Sequence, residues 1–344
     1  MVRDVLKSGW IYLTSRRYYP RGMEPSGAPQ TVKTRIIILS DTHNKKPFDA
    51  SDTQRAFRSP LPDADILLHA GDLTGSGKQY EHQAQIEMLS EHSAEVKVVI
   101  PGNHDITLDE PYYASHPWKH RAPQDLLAIK QMYIGPEARK AGIYLMEEGV
   151  QSFQLKNGAK FTVYASAYQP EFCDWAFAYQ RNEDRFNPAP MIQKLIGRGA
   201  ANPIPSHPQI DIMVTHGPPF GILDKVVGAG SRMNSSVGCQ HLLRAVKRCK
   251  PRLHAFGHIH EGWGAQRMRW APNGEAINED EMTSIMVDQE NVLEKRGAYV
   301  DISSGGSSPL QWGQETLFVN ASIMDVRYNP RNAPWIVDLE LPKG

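Results

Sequence analysis

Chemistry in this chain is concentrated in a few short polar motifs. Pro101-Gly102-Asn103-His104-Asp105 sets an amide, an imidazole and a carboxylate side by side after a tight Pro-Gly turn. Asp41-Thr42-His43, Gly71-Asp72, His216-Gly217 and Gly257-His258-Ile259-His260 add further carboxylates and imidazoles. A core has little use for such groups, because each needs a partner once buried. Oxygen and imidazole donors suit Mn, Fe, Zn or Mg better than a soft, thiophilic ion. Asp41, His43, Asp72, Asn103, His104, His216, His258 and His260 outnumber the protein ligands of a single catalytic zinc. They fit two metal ions about 3.5–4 Å apart. Two divalent cations, offset by Asp41, Asp72 and one bridging hydroxide, leave an excess positive charge. That excess favours an anionic ester such as a phosphate over a neutral peptide.

Each motif follows a strand-like run: Arg35–Ser40, Asp65–Ala70, Val96–Ile100, Ile210–Thr215 and Arg252–Phe256, rich in β-branched and apolar residues. Between them lie helical stretches. Gln79–Ala94 is polar and Gly-free, with Ile86 and Leu89 on one face, and Asp125–Tyr133 also reads as helix. Cys239, Leu242, Leu243 and Val246 recur at helical spacing, with Ser235 or Ser236 suited to cap the start. Strand, motif, helix, strand, motif is the pattern of an α/β fold with parallel pairing. Ligands in such folds collect beyond the carboxyl ends of the strands. Further strands are expected at Lys160–Ala165, Thr316–Ala321 and Trp335–Leu341. His69 and His254 lie inside strand runs and read as core or supporting residues; His116 and His120 read as surface histidines.

The 38 basic and 38 acidic side chains cancel, with no long charge run. The chain therefore lacks a broad footprint for a nucleic-acid polymer or an anionic membrane. Cys173, Cys239 and Cys249 are far apart, which argues against a disulfide framework and for a reducing compartment. No apolar run reaches membrane-spanning length, and Met1–Tyr19 has no secretory pattern, so the expected location is the cytoplasm. Residues 1–33 read as an arm and linker, and 34–342 as one domain. Residues 271–311, with Glu279-Asp280-Glu281 and the run Ser303–Ser308, read as a flexible insertion rather than a phosphate loop, since no Gly-Lys-Ser/Thr follows. The aromatic stretch 168–179 (Tyr168, Phe172, Trp175, Phe177, Tyr179) reads as a packed cap over a sheet edge or as a wall of the substrate cleft.

The series D-x-H, G-D, G-N-H-D, H and G-H-x-H resembles the calcineurin-like metallophosphoesterase superfamily across residues 41–260. Thr215-His216-Gly217-Pro218-Pro219, Phe256-Gly257-His258-Ile259-His260-Glu261-Gly262 and Asn320-Ala321-Ser322 are similar to its metallophosphoesterase-domain-containing, brain protein 239-like group. The resemblance implies a four-layer α/β sandwich of two mixed β-sheets flanked by helices, with the metals at the sandwich edge. It implies that Asp41, His43 and His260 hold one ion, that Asn103, His216 and His258 hold the other, and that Asp72 bridges them. It gives His104 the role of acid or transition-state stabiliser, oriented by Asp105, while a hydroxide bridging the metals attacks phosphorus. The implied activity is a phosphodiesterase for small phosphodiesters such as cyclic nucleotides, with manganese the leading ion. The partner expected is thus a small phosphate ester, and neither a nucleic-acid polymer nor a membrane. Phosphoprotein phosphatase, nuclease and a nucleotide-binding scaffold with little turnover remain as alternatives. Completeness of the ligand set favours an enzyme over the scaffold.

Overall fold

Alternation along each strand decides which side chains meet. Ile36 and Ile38 point to one face of the first strand, Ile37 and Leu39 to the other, and all four are fully buried. That strand therefore carries packed material on both sides. The computed structural model describes residues 30–120, 122–189, 199–227, 235–271 and 281–344, and Thr31–Gly344 form one unit.

A 6-stranded sheet runs in the order Ala298–Asp301, Trp335–Pro342, Thr31–Leu39, Ile66–His69, Val96–Val99, Ile143–Leu145. Its neighbours are parallel except where Thr31–Leu39 meets Trp335–Pro342. A 7-stranded sheet runs Met282–Ser284, Gly264–Arg269, Glu315–Asn320, Leu253–Phe256, Ile212–Thr215, Lys160–Ser166, Gly149–Gln154. Its centre is parallel and its flanks antiparallel. Ile36, Ile38, Leu68 and Val98 of the first sheet meet Val163, Val214, Ala255 and Val319 of the second in one apolar core. The opposite face of the first sheet, with Ile37, Leu67 and Val99, packs under Met88 and Leu89 of the helix Gln79–Glu91 and Tyr133 of the helix Leu126–Ile134. Met213, Phe256 and Phe318 pack under Leu242, Ala245 and Val246 of the helix Gln240–Cys249. The result is the expected four layers: helices, sheet, sheet, helix.

Register then sets where the polar motifs emerge. Leu39, His69 and Val99 are side by side across the first sheet, so Asp41, Asp72 and Asn103 leave it together. Ala165, Val214 and Ala255 are aligned in the second, which brings out His216 and His258. Ser40 joins the two edges. Its N–H donates to Ala321 O at 3.0 Å and its carbonyl accepts from Ile323 N at 2.9 Å, just past a strand of the second sheet.

Local expectations fail at three points. The cap of the helix Gln240–Cys249 is Cys239, whose Sγ accepts from Leu242 N–H at 3.3 Å; Ser235 and Ser236 are instead paired with Lys225–Val226. Residues 281–311 are not a flexible insertion: Ala298–Asp301 is a parallel edge strand on Trp335–Pro342, and Met282–Ser284 pairs with Gly264–Arg269. Asp301 anchors the Ser/Gly run by accepting from Ser303 N–H and Oγ. Glu279-Asp280 lies outside the described residues, as does most of the N-terminal arm, whose residues 31–33 open the first strand. Among the described residues no helix is long and apolar enough to cross a membrane.

Candidate metal centre

The sheet edge gathers every one of the candidate residues. Asp41, Asp72, Asn103 and His216 are buried, with 3% exposure or less, and His43 is 7% exposed. Their backbones are held in an unusual way: Asp41, His43, Asp72 and His258 have φ of 52°, 41°, 54° and 67°. The left-handed region costs a non-glycine residue on the order of 1–3 kcal/mol and recurs at functional sites. Close approach also fixes two glycines. A Cβ on Gly102 would collide with the amide and carboxylate of Asp72, and one on Gly257 with the carboxylate of Asp41.

The histidines share one orientation device. Nδ1 of His43 donates to Thr74 O at 3.2 Å, that of His216 to Ala70 O at 2.9 Å, and that of His260 to Asp325 O at 3.1 Å. A carbonyl only accepts, so each Nδ1 carries a proton and each ring turns its Nε2 into the centre. These nitrogens face one another and the oxygens of the other candidate ligands. His43 Nε2 is 3.4 Å from His260 Nε2 and 3.6 Å from Asp72 Oδ2. His216 Nε2 is 2.9 Å from Asn103 Oδ1 and 3.5 Å from Asp72 Oδ1. His260 Nε2 is 3.5 Å from Asp41 Oδ1. Where Nε2 carries no proton, acceptor meets acceptor, and a cation reconciles the pair as well as a proton does; these donors are the set a metal site needs. Asp72 directs one oxygen toward His43 and the other toward His216, the disposition of a shared ligand. Donor atoms of Asp41, His43 and His260 lie within 4.8 Å of one another, as do those of Asp41, Asp72 and His216, and those of His43, Asp72 and His104.

Protonation agrees with this. Burial pushes His258 down to about 3 and His43 down to about 4, so both are neutral near pH 7. Burial would lower His260 too, but the Asp41 carboxylate outweighs it and holds His260 above its ordinary value. Asp41 is itself held low, against burial, chiefly by His260. A cation seated there would take the place of that proton.

The residues behind the centre behave as supports. His69 Nε2 pairs with Thr42 Oγ1 at 3.0 Å, and His254 Nε2 with Thr215 Oγ1 at 2.8 Å. Both are core histidines adjoining a motif, as their place inside strands suggested. His104 stands at the mouth, its Nδ1 donating to Gly75 O at 2.9 Å and its ring stacked on Trp175 at 4.0 Å. The expected contact with Asp105 is absent. Asp105 turns the other way and accepts from Leu73 N–H, Thr74 N–H, Thr74 Oγ1 and Gly102 N–H at 2.7–3.1 Å. Adjacent residues on a tight turn project apart, and four buried donors outcompete one ring. Asp105 thus ties the loop after Asp72 to the loop before Asn103. Sequence reading also missed Asp325, Tyr328 and Arg181. Trp175 was visible only as one ring in an aromatic stretch, and nothing near Asp325 or Tyr328 has motif spacing.

Burial, followed by the Asp72 charge, pushes Asp105 up to about 6, which still leaves it an acceptor at pH 7. An amide in its place must turn a donor toward these donors. Asp105→Asn should therefore lower the unfolding free energy of the metal-free protein by about 2–4 kcal/mol, measured by urea titration. A change within experimental error would contradict the tie.

Comparison with known proteins gives this geometry a lineage. Residues 34–262 match the calcineurin-like phosphoesterase family. Human and mouse metallophosphoesterase domain-containing protein 1 are each 30% identical to this chain over 334 residues, which cover 93% of it and 76% of the relative. A Caenorhabditis elegans UPF0046 protein is 32% identical over 240 residues, 67% of this chain and 52% of its own. With the polar motifs assembled at one sheet edge and the match spanning them all, the chain belongs to the calcineurin-like phosphoesterases, a family dependent on dinuclear metal centres.

Proposed function

We propose that this chain is a metal-dependent phosphodiesterase of the cytoplasm that hydrolyses small phosphodiesters such as cyclic nucleotides. The observation that carries the reading is the convergence of the His43, His216 and His260 Nε2 atoms on the Asp41, Asp72 and Asn103 oxygens in one buried pocket. Asp41, His43 and His260 would hold one ion, Asn103, His216 and His258 the other, and Asp72 both. Manganese is the ion we favour, with Fe, Zn or Mg also suited to these donors. When bound, the pair supplies Lewis acidity and an activated water.

The remaining work falls to the chain's own groups. His104 keeps Nδ1 on Gly75 O and its ring against Trp175, so its Nε2 is the atom available to substrate. In its cationic form it donates that proton to the departing oxygen. The cleft beside it encloses about 830 Å³. Arg181 is the single Lys or Arg among its described lining residues, which include Glu171 and Glu261. A polynucleotide needs a row of cations along its track, so the cleft favours a small ester.

Competition tests the substrate class. With the Mn²⁺-loaded protein, 2′,3′- and 3′,5′-cyclic nucleotides should be cleaved in preference to single-stranded DNA, RNA and a phosphopeptide at equal phosphate concentration. Cleavage of the polymers or the phosphopeptide with cyclic nucleotides untouched would contradict the reading; no turnover of any ester would favour the scaffold. His104→Asn should slow hydrolysis of a ribose or alkyl ester by about 10²–10⁴-fold. A p-nitrophenyl ester, whose leaving group needs little help, should lose much less, and metal content should not change. Equal losses on both esters would remove the proton-donor role.

A further inference from the structure

The mouth of this polar centre carries large apolar side chains. Phe172, Val326 and Tyr328 line the cleft and are 54%, 56% and 50% exposed. Of the rings in 168–179, Tyr168 is covered by the Arg185 guanidinium at 3.6 Å, and Trp175 is occupied by His104 and by Lys119 at 4.9 Å. Phe172 keeps an open ring and stands edge-on to His258 at 6.3 Å. Tyr328 sits over the other half of the centre, 4.9 Å from His43, 5.0 Å from His260 and 6.1 Å from His104.

Tyr328 is also held there at a cost. Its φ of 58° is left-handed, a strained setting for a bulky residue. The turn that imposes it is built on Asp325. The Asp325 carboxylate accepts from Arg327 N–H at 2.8 Å and Asn329 N–H at 2.9 Å. Its carbonyl accepts from both His260 Nδ1 at 3.1 Å and Tyr328 N–H at 2.9 Å. One carbonyl thus aims a candidate metal ligand and the ring beside it. The Tyr328 hydroxyl has no hydrogen-bond partner among the described residues.

We infer that Phe172 and Tyr328 are substrate-contacting residues that select phosphate esters carrying a planar ring, a nucleobase or an aryl group, beside the reacting phosphate. The inference rests on the phosphoesterase reading only for where the phosphate sits. A planar group next to a phosphate held at the centre meets an aromatic face on one side or the other. An alkyl group meets the same rings without stacking. The free hydroxyl adds a contact to a ring heteroatom.

Binding separates this from turnover. Adenosine 5′-monophosphate and ribose 5-phosphate share sugar and phosphate and differ by the base. Calorimetry on the Mn²⁺-loaded full chain should give the nucleotide the higher affinity by on the order of tenfold or more. Phe172→Ala or Tyr328→Ala should remove most of that difference, and the double variant should abolish it, with ribose 5-phosphate bound as before, while Tyr328→Phe should keep it. In turnover, the same preference should appear as a lower KM, at similar kcat, for bis-(p-nitrophenyl) phosphate than for methyl p-nitrophenyl phosphate, which has the same leaving group. Equal affinities in the unsubstituted protein, no binding of either ligand, or an intact preference in both alanine variants would overturn the inference. A nucleotide preference lost in those variants, in a protein that hydrolyses neither ester, would support it while refuting the phosphodiesterase reading.

Discussion

Everything at this site depends on imidazole nitrogens and carboxylate and amide oxygens converging on one buried point. Backbone carbonyls accept from Nδ1 of His43, His216 and His260, so the opposite nitrogens point into the centre. Two carboxylates and an amide oxygen meet them inside a buried pocket. Such a set raises the energy of the protein unless positive charge lies within it. Asp72, with an oxygen toward each half, makes the two halves one electrostatic unit. Metal binding to such a site is linked to folding, because the unfolded chain holds none of these donors together.

The rest of the architecture serves that convergence. Two sheets share one apolar core, and their parallel strands end in register, so five separate motifs arrive at a single edge without long loops. Ser40 sews the edges together one residue before Asp41. Asp105 joins the loops of Asp72 and Asn103, and Asp325 carries His260 and Tyr328 on one carbonyl. Residues without chemistry of their own thus set the positions of those that have it, as is usual around metal ligands. Burial is greatest at the core-facing side. The outward side, with His104, Phe172 and Tyr328, is open to substrate.

The strands and the motifs that end them were legible because each is local: an apolar run, a turn and a polar side chain within a few residues. The helix Gln240–Cys249 was legible from its spacing, but its cap was not, since Ser235 and Ser236 are claimed by a pairing with Lys225–Val226 that no local pattern announces. The place of Ala298–Asp301 in the first sheet escaped notice for the same reason, because its partner lies at Trp335–Asp338. Asp105 was assigned to the wrong neighbour. Adjacency in sequence suggested His104, whereas the buried donors that claim its carboxylate include Leu73 and Thr74. Tyr328 and Asp325 gave no signal, being ordinary loop residues until the fold brings them to His260.

The central claim is that Asp72 joins two cations in one centre. Electron paramagnetic resonance of the protein titrated with Mn²⁺ tests it most directly. At two equivalents the account predicts the spectrum of a magnetically coupled pair, because ions sharing a carboxylate lie about 3.5–4 Å apart, and Asp72→Asn should convert it to uncoupled Mn²⁺. A saturated protein that shows isolated Mn²⁺ alone, or an Asp72→Asn variant that keeps the coupled spectrum, would contradict the account.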